Sequence, residues 1–234
     1  MKFYQRLGIS IAELGFCFLG INLAPAHAIL ITPLSSEFRL ITYSDAGGGF
    51  VTDTDSQSQG STLNPLNASV SALATFGNAS VLTTVKGTAT WVNSSQGTVN
   101  LFDIGWNTVG VTFGSALPGS VNGLDWAYQF TAGETGLFTL KYDIAGFGSD
   151  EFEPNTFGLN GFNFLWSGSG ENQFLDLNTS GTLERIVTAG NTYTITIQNI
   201  ANIGGGIGTR NARMDGVFDW SIMLPVPTSH SCQP

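Results

Sequence analysis

The chemistry open to this chain is limited first by its histidines, since the sequence has only two. His27 lies near the start and His230 near the end, so the sequence between them has no imidazole. The two cysteines, Cys17 and Cys232, lie in the same terminal stretches. A Ser-His-Asp triad, a Cys-His pair and a zinc site of His and Cys ligands all need such side chains inside the folded domain. We therefore predict a protein that is not an enzyme.

Acidic side chains are the next candidates for a site. The stretch GSDEFEP places Asp150, Glu151 and Glu153 close together. Carboxylate and carbonyl oxygens are the ligands that calcium prefers, so these three residues are the predicted calcium site. Asp53 and Asp55 are a second candidate, although the sequence from Asp53 lacks the glycine and the final glutamate of an EF-hand loop.

A pair of carboxyl groups is also the machinery of most glycoside hydrolases. That reaction needs two acids roughly 5 to 10 Å apart, one of them with a raised pKa. Asp103, Asp125 and Asp143 lie in or near strand-like runs. Nothing in their spacing identifies a pair, so a hydrolase stays an alternative.

Five tryptophans are the remaining candidates: Trp91, Trp106, Trp126, Trp166 and Trp220. All lie in strand-like runs, and burying one aromatic ring removes about 150–250 Å² from water, so most are expected in the core. An exposed ring instead stacks on the C–H groups of sugars. Trp106 and Trp166 adjoin glycine-rich turns, and we predict that these two are exposed and bind a ligand.

Alternating apolar residues predict the elements that position these side chains. In LDWAYQF, LFTLKYDI, TYTITIQNI and VFDWSI every second residue is large and apolar, which is typical of strands with one buried face. Turn signals separate the runs, among them Ser94–Gly97 and Asn160-Gly161. Residues 44–69 and 202–213 are rich in polar residues and glycine and are predicted loops. The pattern predicts one all-β domain, an antiparallel jelly-roll-like β-sandwich over residues 29–224.

The first 28 residues have the three parts of a secretory signal peptide. Lys2 and Arg6 form a basic leader, residues 14–21 are apolar, and Ala26-His27-Ala28 is a small-x-small cleavage site. The apolar run is shorter than the roughly 20 residues that cross a bilayer. We predict that residues 1–28 are cleaved, that residues 225–234 are a short irregular tail, and that the mature chain has no stable membrane span.

The C-terminal half carries a resemblance in three motifs, TAGNTYTITIQNIA, NGFNFLWSG and MDGVFDWSI leading to Val226-Pro227. Over residues 123–227 the chain resembles exported bacterial β-sandwich proteins with a PEP-CTERM sorting signal. In that family Val-Pro-Glu-Pro precedes an apolar span and a basic cluster, whereas Thr228 follows Val-Pro here, so we expect the sorting anchor to be missing. The resemblance implies an extracellular or periplasmic protein of bacteria that build exopolysaccharide.

The charge of the chain narrows its partners. With 17 acidic and 8 basic residues the formal net charge is −9, which disfavours binding to nucleic acid. We predict a non-enzymatic protein of the cell surface or extracellular matrix that associates with exopolysaccharide or envelope material. A carbohydrate-binding module with a defined sugar site and a glycoside hydrolase are the alternatives.

Overall fold

The computed structural model describes residues 28–45, 52–111, 120–150, 161–167, 170–203 and 208–224, and all regular structure in these ranges is β-strand. The strands are β1 (Ile31–Asp45), β2 (Thr52–Ser61), β3 (Leu66–Phe76), β4 (Ala79–Asn93), β5 (Gln96–Val111), β6 (Ser120–Ala132), β7 (Gly136–Asp150), β8 (Phe162–Trp166), β9 (Glu171–Leu175), β10 (Thr179–Val187), β11 (Thr192–Ile203) and β12 (Gly208–Met223). Within these ranges no helix is long and apolar enough to cross a membrane. The predicted all-β class is confirmed.

The strands form two antiparallel six-stranded sheets. Sheet I has the order β2-β1-β6-β11-β8-β9, and sheet II has the order β10-β7-β12-β5-β4-β3. From β5 to β12 the chain changes sheet at every step except the β8–β9 hairpin, and it returns to place β11 between β6 and β8 and β12 between β5 and β7. This is the two-Greek-key arrangement of a jelly roll, as predicted, with β1 to β4 extending both sheets on one side.

The core lies between the two sheets and is rich in aromatic rings. Trp126, Tyr128 and Phe130 on β6 are fully buried, while the residues between them are only partly covered, so the predicted alternation is confirmed. Rings meet across the sheets, with centroids 5.0 Å apart for Tyr128 and Trp220, 4.9 Å for Phe138 and Trp166, and 5.1 Å for Phe162 and Phe218. Such burial, at about 25 cal/mol per Å² of apolar surface, drives the packing of the sheets.

The loop prediction is wrong over much of the length of two segments. Residues 44–69 include all of β2 and the start of β3, and residues 202–213 include the end of β11 and the start of β12. The β2 sequence TDTDSQSQGS has no apolar residue, so the hydrophobic alternation on which the prediction relied is absent. The turn predicted at Ser94–Gly97 is confirmed, since Asn93 ends β4 and its Oδ1 accepts hydrogen bonds from the N–H and hydroxyl of Ser95.

Candidate functional site

The two tryptophans predicted to bind a ligand lie in different sheets. Trp106 is in β5 of sheet II and Trp166 is in β8 of sheet I, and their side chains are only 7% and 3% exposed. The predicted exposure is therefore wrong. Both rings occupy inward positions of their strands, and Trp166 packs with its centroid 5.1 Å from the ring of Tyr193. The glycine beside Trp106 brings a neighbouring strand close instead of uncovering the ring.

The predicted calcium ligands fall largely outside the described residues. Asp150 ends β7 and is paired in register with Arg210, while Glu151 and Glu153 lie beyond the described ranges. Among the residues that are described, no three His, Cys, Asp or Glu side chains are grouped to hold a metal ion. The calcium site at Asp150, Glu151 and Glu153 stays a prediction.

The outer face of sheet II carries a β-bulge in β5. The register shifts against β4 between Thr84 and Lys86, and against β12 between Met214 and Gly216. The extra residue is Asp103, whose φ of 52° lies in the left-handed region. Aspartate adopts this region more readily than most residues. Bulges bend a strand and change the direction of its side chains, and they are common next to functional sites.

Both neighbouring strands hold Asp103 in place. Its backbone N–H donates to Asp215 Oδ1 at 2.9 Å, and its carbonyl accepts from Thr84 Oγ1 at 2.7 Å. Its carboxylate accepts from Lys86 Nζ at 2.7 Å and from Arg213 Nη1 at 3.4 Å. Arg213 also lies 3.3 Å from the carboxylate of Asp215. The four charged side chains thus neutralise one another along one edge of the bulge.

Beside this network the outer face of sheet II has a depression of about 410 Å³, which we call the bulge trough. Two adjacent rows of cross-strand neighbours form it, because the register aligns four strands at this point. One row is Thr84, Gly105, Arg213 and Phe147, and the next is Leu82, Asn107 and Asn211.

Gly105 forms the floor of the bulge trough. A Cβ atom at this position would lie only 2.3 Å from the carbonyl oxygen of Ala212 and 2.9 Å from the Cα of Arg213. A side chain is therefore excluded by the backbone of β12. Because no side chain rises from the centre of the two rows, the surface is concave here.

The walls of the bulge trough combine amide groups with an apolar ring. Asn107 and Asn211 are exposed, and each carboxamide offers both hydrogen-bond donors and acceptors. Phe147 is 48% exposed, and the guanidinium of Arg213 lies 4.8 Å from the centre of its ring. Such a surface can hydrogen-bond a polyhydroxyl ligand and contact its C–H groups. Sequence analysis named Trp106, which borders this depression, but none of the residues of the two rows, because these come from β4, β5, β7 and β12.

Trp166 borders a second cavity, of about 580 Å³, between the edge strands β9 and β10. Its rim carries Glu171 and Arg185, whose carboxylate and Nε are 2.6 Å apart. Trp166 and Tyr193, at 3% and 5% exposure, present almost no ring surface to it. The phenol oxygen of Tyr193 already accepts the N–H of Thr188 at 2.8 Å. We therefore take the bulge trough as the candidate site.

A pair of carboxyl groups lies on the outer face of sheet I, around a small depression of about 200 Å³. Arg39 donates to both oxygens of Glu37 at 3.0 Å, and these bonds are the main cause of a lowered pKa for Glu37. Partial burial raises the pKa of Asp125, although Arg39 and a hydrogen bond from Gln198 oppose this. Two acids whose pKa values move apart resemble the acid and base of a hydrolase. Sequence reasoning named Asp125 but missed Glu37, because only the register of β1 and β6 brings the two residues to one place.

No protein-family profile matches the chain, and no curated protein matches it significantly. The resemblance to exported β-sandwich proteins therefore stays a prediction.

Proposed function

We propose that this chain is a non-enzymatic, exported carbohydrate-binding protein that contacts polysaccharide through the bulge trough. The observation that carries the proposal is the presence of two exposed amides, Asn107 and Asn211, beside the half-exposed ring of Phe147 in one concave surface. Ligand sites commonly join a few convergent polar groups to an apolar wall. Sugars present neighbouring hydroxyl groups and apolar C–H patches, which match both parts.

The surroundings of the bulge trough favour a neutral polymer. Outward positions on the neighbouring strands are mostly uncharged, among them Thr88, Thr90, Thr98, Asn100 and Thr139. The nearest charges, Lys86, Arg213 and two aspartates, are paired with one another. The whole chain has a net charge of −9, which repels anionic polysaccharides at low ionic strength. We therefore infer a neutral polysaccharide of the matrix or envelope.

Export is the second part of the proposal and rests on the signal-peptide pattern of residues 1–28, of which residues 1–27 lie outside the described residues. The fold beyond them is compatible with an extracellular protein, because a continuous aromatic core joins the two sheets. No disulfide is needed to hold such a core together.

A glycan array followed by affinity electrophoresis tests the binding site. We expect the wild-type chain to bind a subset of neutral glycans and the double variant N107A/N211A to bind at least about tenfold more weakly, since each lost hydrogen bond contributes about 1 kcal/mol. Asn172→Ala, an exposed asparagine of β9 in the other sheet, is the matched control and should bind like the wild type. No glycan binding, or equal loss in the control, would contradict the proposal.

A glycoside hydrolase is the second candidate, favoured by the opposed pKa values of Glu37 and Asp125. The test is release of reducing sugar from a panel of polysaccharides, with E37Q and D125N as variants. A true acid pair requires activity in the wild type and its loss in both variants. If the wild type releases no sugar, this candidate is dropped while the binding proposal is untouched.

A further inference from the structure

Strand β2 is attached to the opposite sheet by its side chains. It forms the edge of sheet I, and β3 forms the facing edge of sheet II. Four β2 side chains, which we call the side-chain ladder, accept hydrogen bonds from alternate backbone N–H groups of β3. The pairs are Gln59 with Asn67 at 2.7 Å, Gln57 with Ser69 at 2.7 Å, Asp55 with Ser71 at 2.9 Å, and Asp53 with Leu73 at 2.7 Å.

The side-chain ladder occupies the positions of β2 that face the core side of sheet I. Gln57 and Gln59 are paired in register with Leu40 and Phe38, whose side chains are buried in the core. Gln59 is partly buried, and Asp53, Asp55 and Gln57 remain exposed to solvent. Their side-chain oxygens accept from the N–H groups of the β3 edge, so the polar pattern of β2 matches the donors that β3 presents.

The β3 strand has no protection of its own. Its sequence, LNASVSALATF, contains no charged residue and no proline over 11 residues. Edge strands usually carry such residues because free backbone groups pair with other chains. On the other side of the sandwich, the edge strands β9 and β10 carry Glu171, Glu184 and Arg185. The two sides are thus protected by different means.

We propose that β2 is a removable guard, and that the β3 edge beneath it is a strand-pairing site for the β3 of a second copy of this chain. In an antiparallel pair, alternate residues direct their N–H and C=O groups to the same side, so the edge that faces the side-chain ladder matches a second β3. Two identical strands pair about a twofold axis, and an uncharged sequence brings no like charges together.

Displacing β2 requires little loss of core packing. Residues 52–58 are all exposed, and none of the β2 side chains belongs to the apolar core. The strand is held by its backbone pairing with β1, by a hydrogen bond that Ser58 Oγ donates to Glu37 Oε1 at 3.0 Å, and by the side-chain ladder. Removing the ladder weakens the attachment to β3 without emptying the space between the sheets.

The test compares two sets of substitutions on opposite faces of β2. The ladder variant carries Asp53→Ala, Asp55→Ala, Gln57→Ala and Gln59→Ala. The control carries Thr52→Ala, Thr54→Ala and Ser56→Ala, which are exposed and bond no β3 backbone group by their side chains. Light scattering after gel filtration should find the wild type and the control as monomers and the ladder variant as a dimer whose fraction rises with concentration.

Amide hydrogen exchange reports on the same edge residue by residue. In the wild type the amides of Asn67, Ser69, Ser71 and Leu73 should be protected. In the monomer of the ladder variant they should exchange at least about tenfold faster, and the dimer should restore their protection. A folded ladder variant that stays monomeric at every concentration, or a dimer with unprotected amides at these positions, would overturn the proposal.

A smaller change keeps the test decisive if the ladder variant does not fold. The double variant D55A/Q57A removes only the acceptors of Ser71 and Ser69. These two amides should then exchange faster, while the amides of Asn67 and Leu73 change less. Unchanged exchange at Ser69 and Ser71 would show that the side-chain ladder does not cover the edge.

Discussion

At the scale of single residues, Asp103 links the fold to the candidate site. Its left-handed backbone creates the bulge, and its side chain, N–H and carbonyl all have partners. A non-glycine residue with a left-handed backbone destabilises the folded state by roughly 1–2 kcal/mol unless other contacts compensate. The partners on β4 and β12 supply that compensation, which is why an aspartate and not a glycine can stand here.

Substitution of Asp103 separates backbone strain from the contacts. Asp103→Ala loses the carboxylate contacts but keeps the Cβ strain that the wild type already carries, so we expect the free energy of unfolding to fall by about 1 kcal/mol. Asp103→Gly loses the same contacts and relieves roughly 1–2 kcal/mol of strain, so it should be about as stable as the wild type. The ion pairs themselves contribute little, because Lys86 and Arg213 are substantially exposed. Urea unfolding measures both values, and equal losses would contradict the role of the backbone.

The raised pKa of Asp125 predicts that the stability of the protein depends on pH. Burial raises its pKa in the folded protein, so the folded state keeps a proton that the unfolded state has already released. The stability contributed by this group therefore falls as pH rises from the ordinary value near 4 through the raised pKa, and stays lower above it.

The variant D125N has no such titration. Its melting temperature relative to that of the wild type should increase between about pH 3 and pH 7, as followed by circular dichroism. The change in Glu37, whose pKa is lowered, runs in the opposite direction and is present in both proteins. A difference between D125N and wild type that does not vary with pH would contradict the raised pKa.

Tryptophan illustrates what residue types alone predict. Burial was the expected state of most of the five rings, and Trp126 and Trp220 are indeed among the largest fully buried side chains. Trp106 and Trp166 were expected to differ because glycine lies beside them. Glycine accompanies exposed turns and also close strand contacts, and Gly105 belongs to the second class. Only the position of β12 shows that Gly105 belongs to a close strand contact and not to an exposed turn.

At the scale of elements, Gly105 in β5 tests whether the bulge trough depends on close approach of two strands. A methyl group at Gly105 meets backbone atoms of β12 and cannot be avoided by a side-chain rotation. We expect Gly105→Ala to lower the free energy of unfolding by about 1–3 kcal/mol, as overpacking does, and to weaken glycan binding.

Gly60 in β2 is the matched control for Gly105. A Cβ atom there meets only the carbonyl oxygen of Ser36, at an ordinary 3.6 Å. Gly60→Ala should therefore change stability by less than about 0.5 kcal/mol and leave glycan binding unchanged. Comparable destabilisation of the two variants in urea would refute the assignment of Gly105 as an obligatory floor.

Strands that supply the core were predictable, and strands that serve another strand were not. The apolar alternation of β6, β7, β11 and β12 predicted their existence and buried faces. For β2 the relevant signal is a polar alternation, in which Asp and Gln alternate with Thr and Ser. This pattern indicates a strand only if β3 lies opposite to receive its hydrogen bonds. Because that contact is long-range, the local sequence of β2 does not predict it.

At the scale of the whole molecule, a jelly-roll-like β-sandwich was predictable from the alternation and turns, whereas the exact order of its twelve strands was not. The last two strands, β11 and β12, insert between strands formed earlier in the chain. They therefore pair with segments that are distant in sequence, as β12 does with β5. Pairings of this kind depend on which faces complement each other after the sheets have formed. The candidate site was unpredictable for the same reason, because its walls come from four strands whose pairing the sequence does not specify.

The last prediction concerns the maturation of the whole chain. Ile29 is 3% exposed and its N–H donates to the carbonyl of Ile222 at 3.4 Å, so the residue directly after the predicted cleavage site is packed against β12. The full-length chain should be expressed in a bacterium that exports proteins. We expect it outside the cytosol, with a mass, measured by mass spectrometry, that matches a chain whose first residue is Ile29. A control with Ala26→Asp and Ala28→Asp should retain its leader, because the cleavage site requires small residues.

Folding outside the cytosol should not require oxidation. Cys17 leaves with the predicted leader and Cys232 then stands alone, so no bridge can form within the mature chain. The melting temperature of the exported protein should be the same with and without reductant. A full-length chain that resists extraction from membranes by carbonate would contradict the predicted cleavage. A reductant-sensitive melt would contradict a sandwich held together by its core alone.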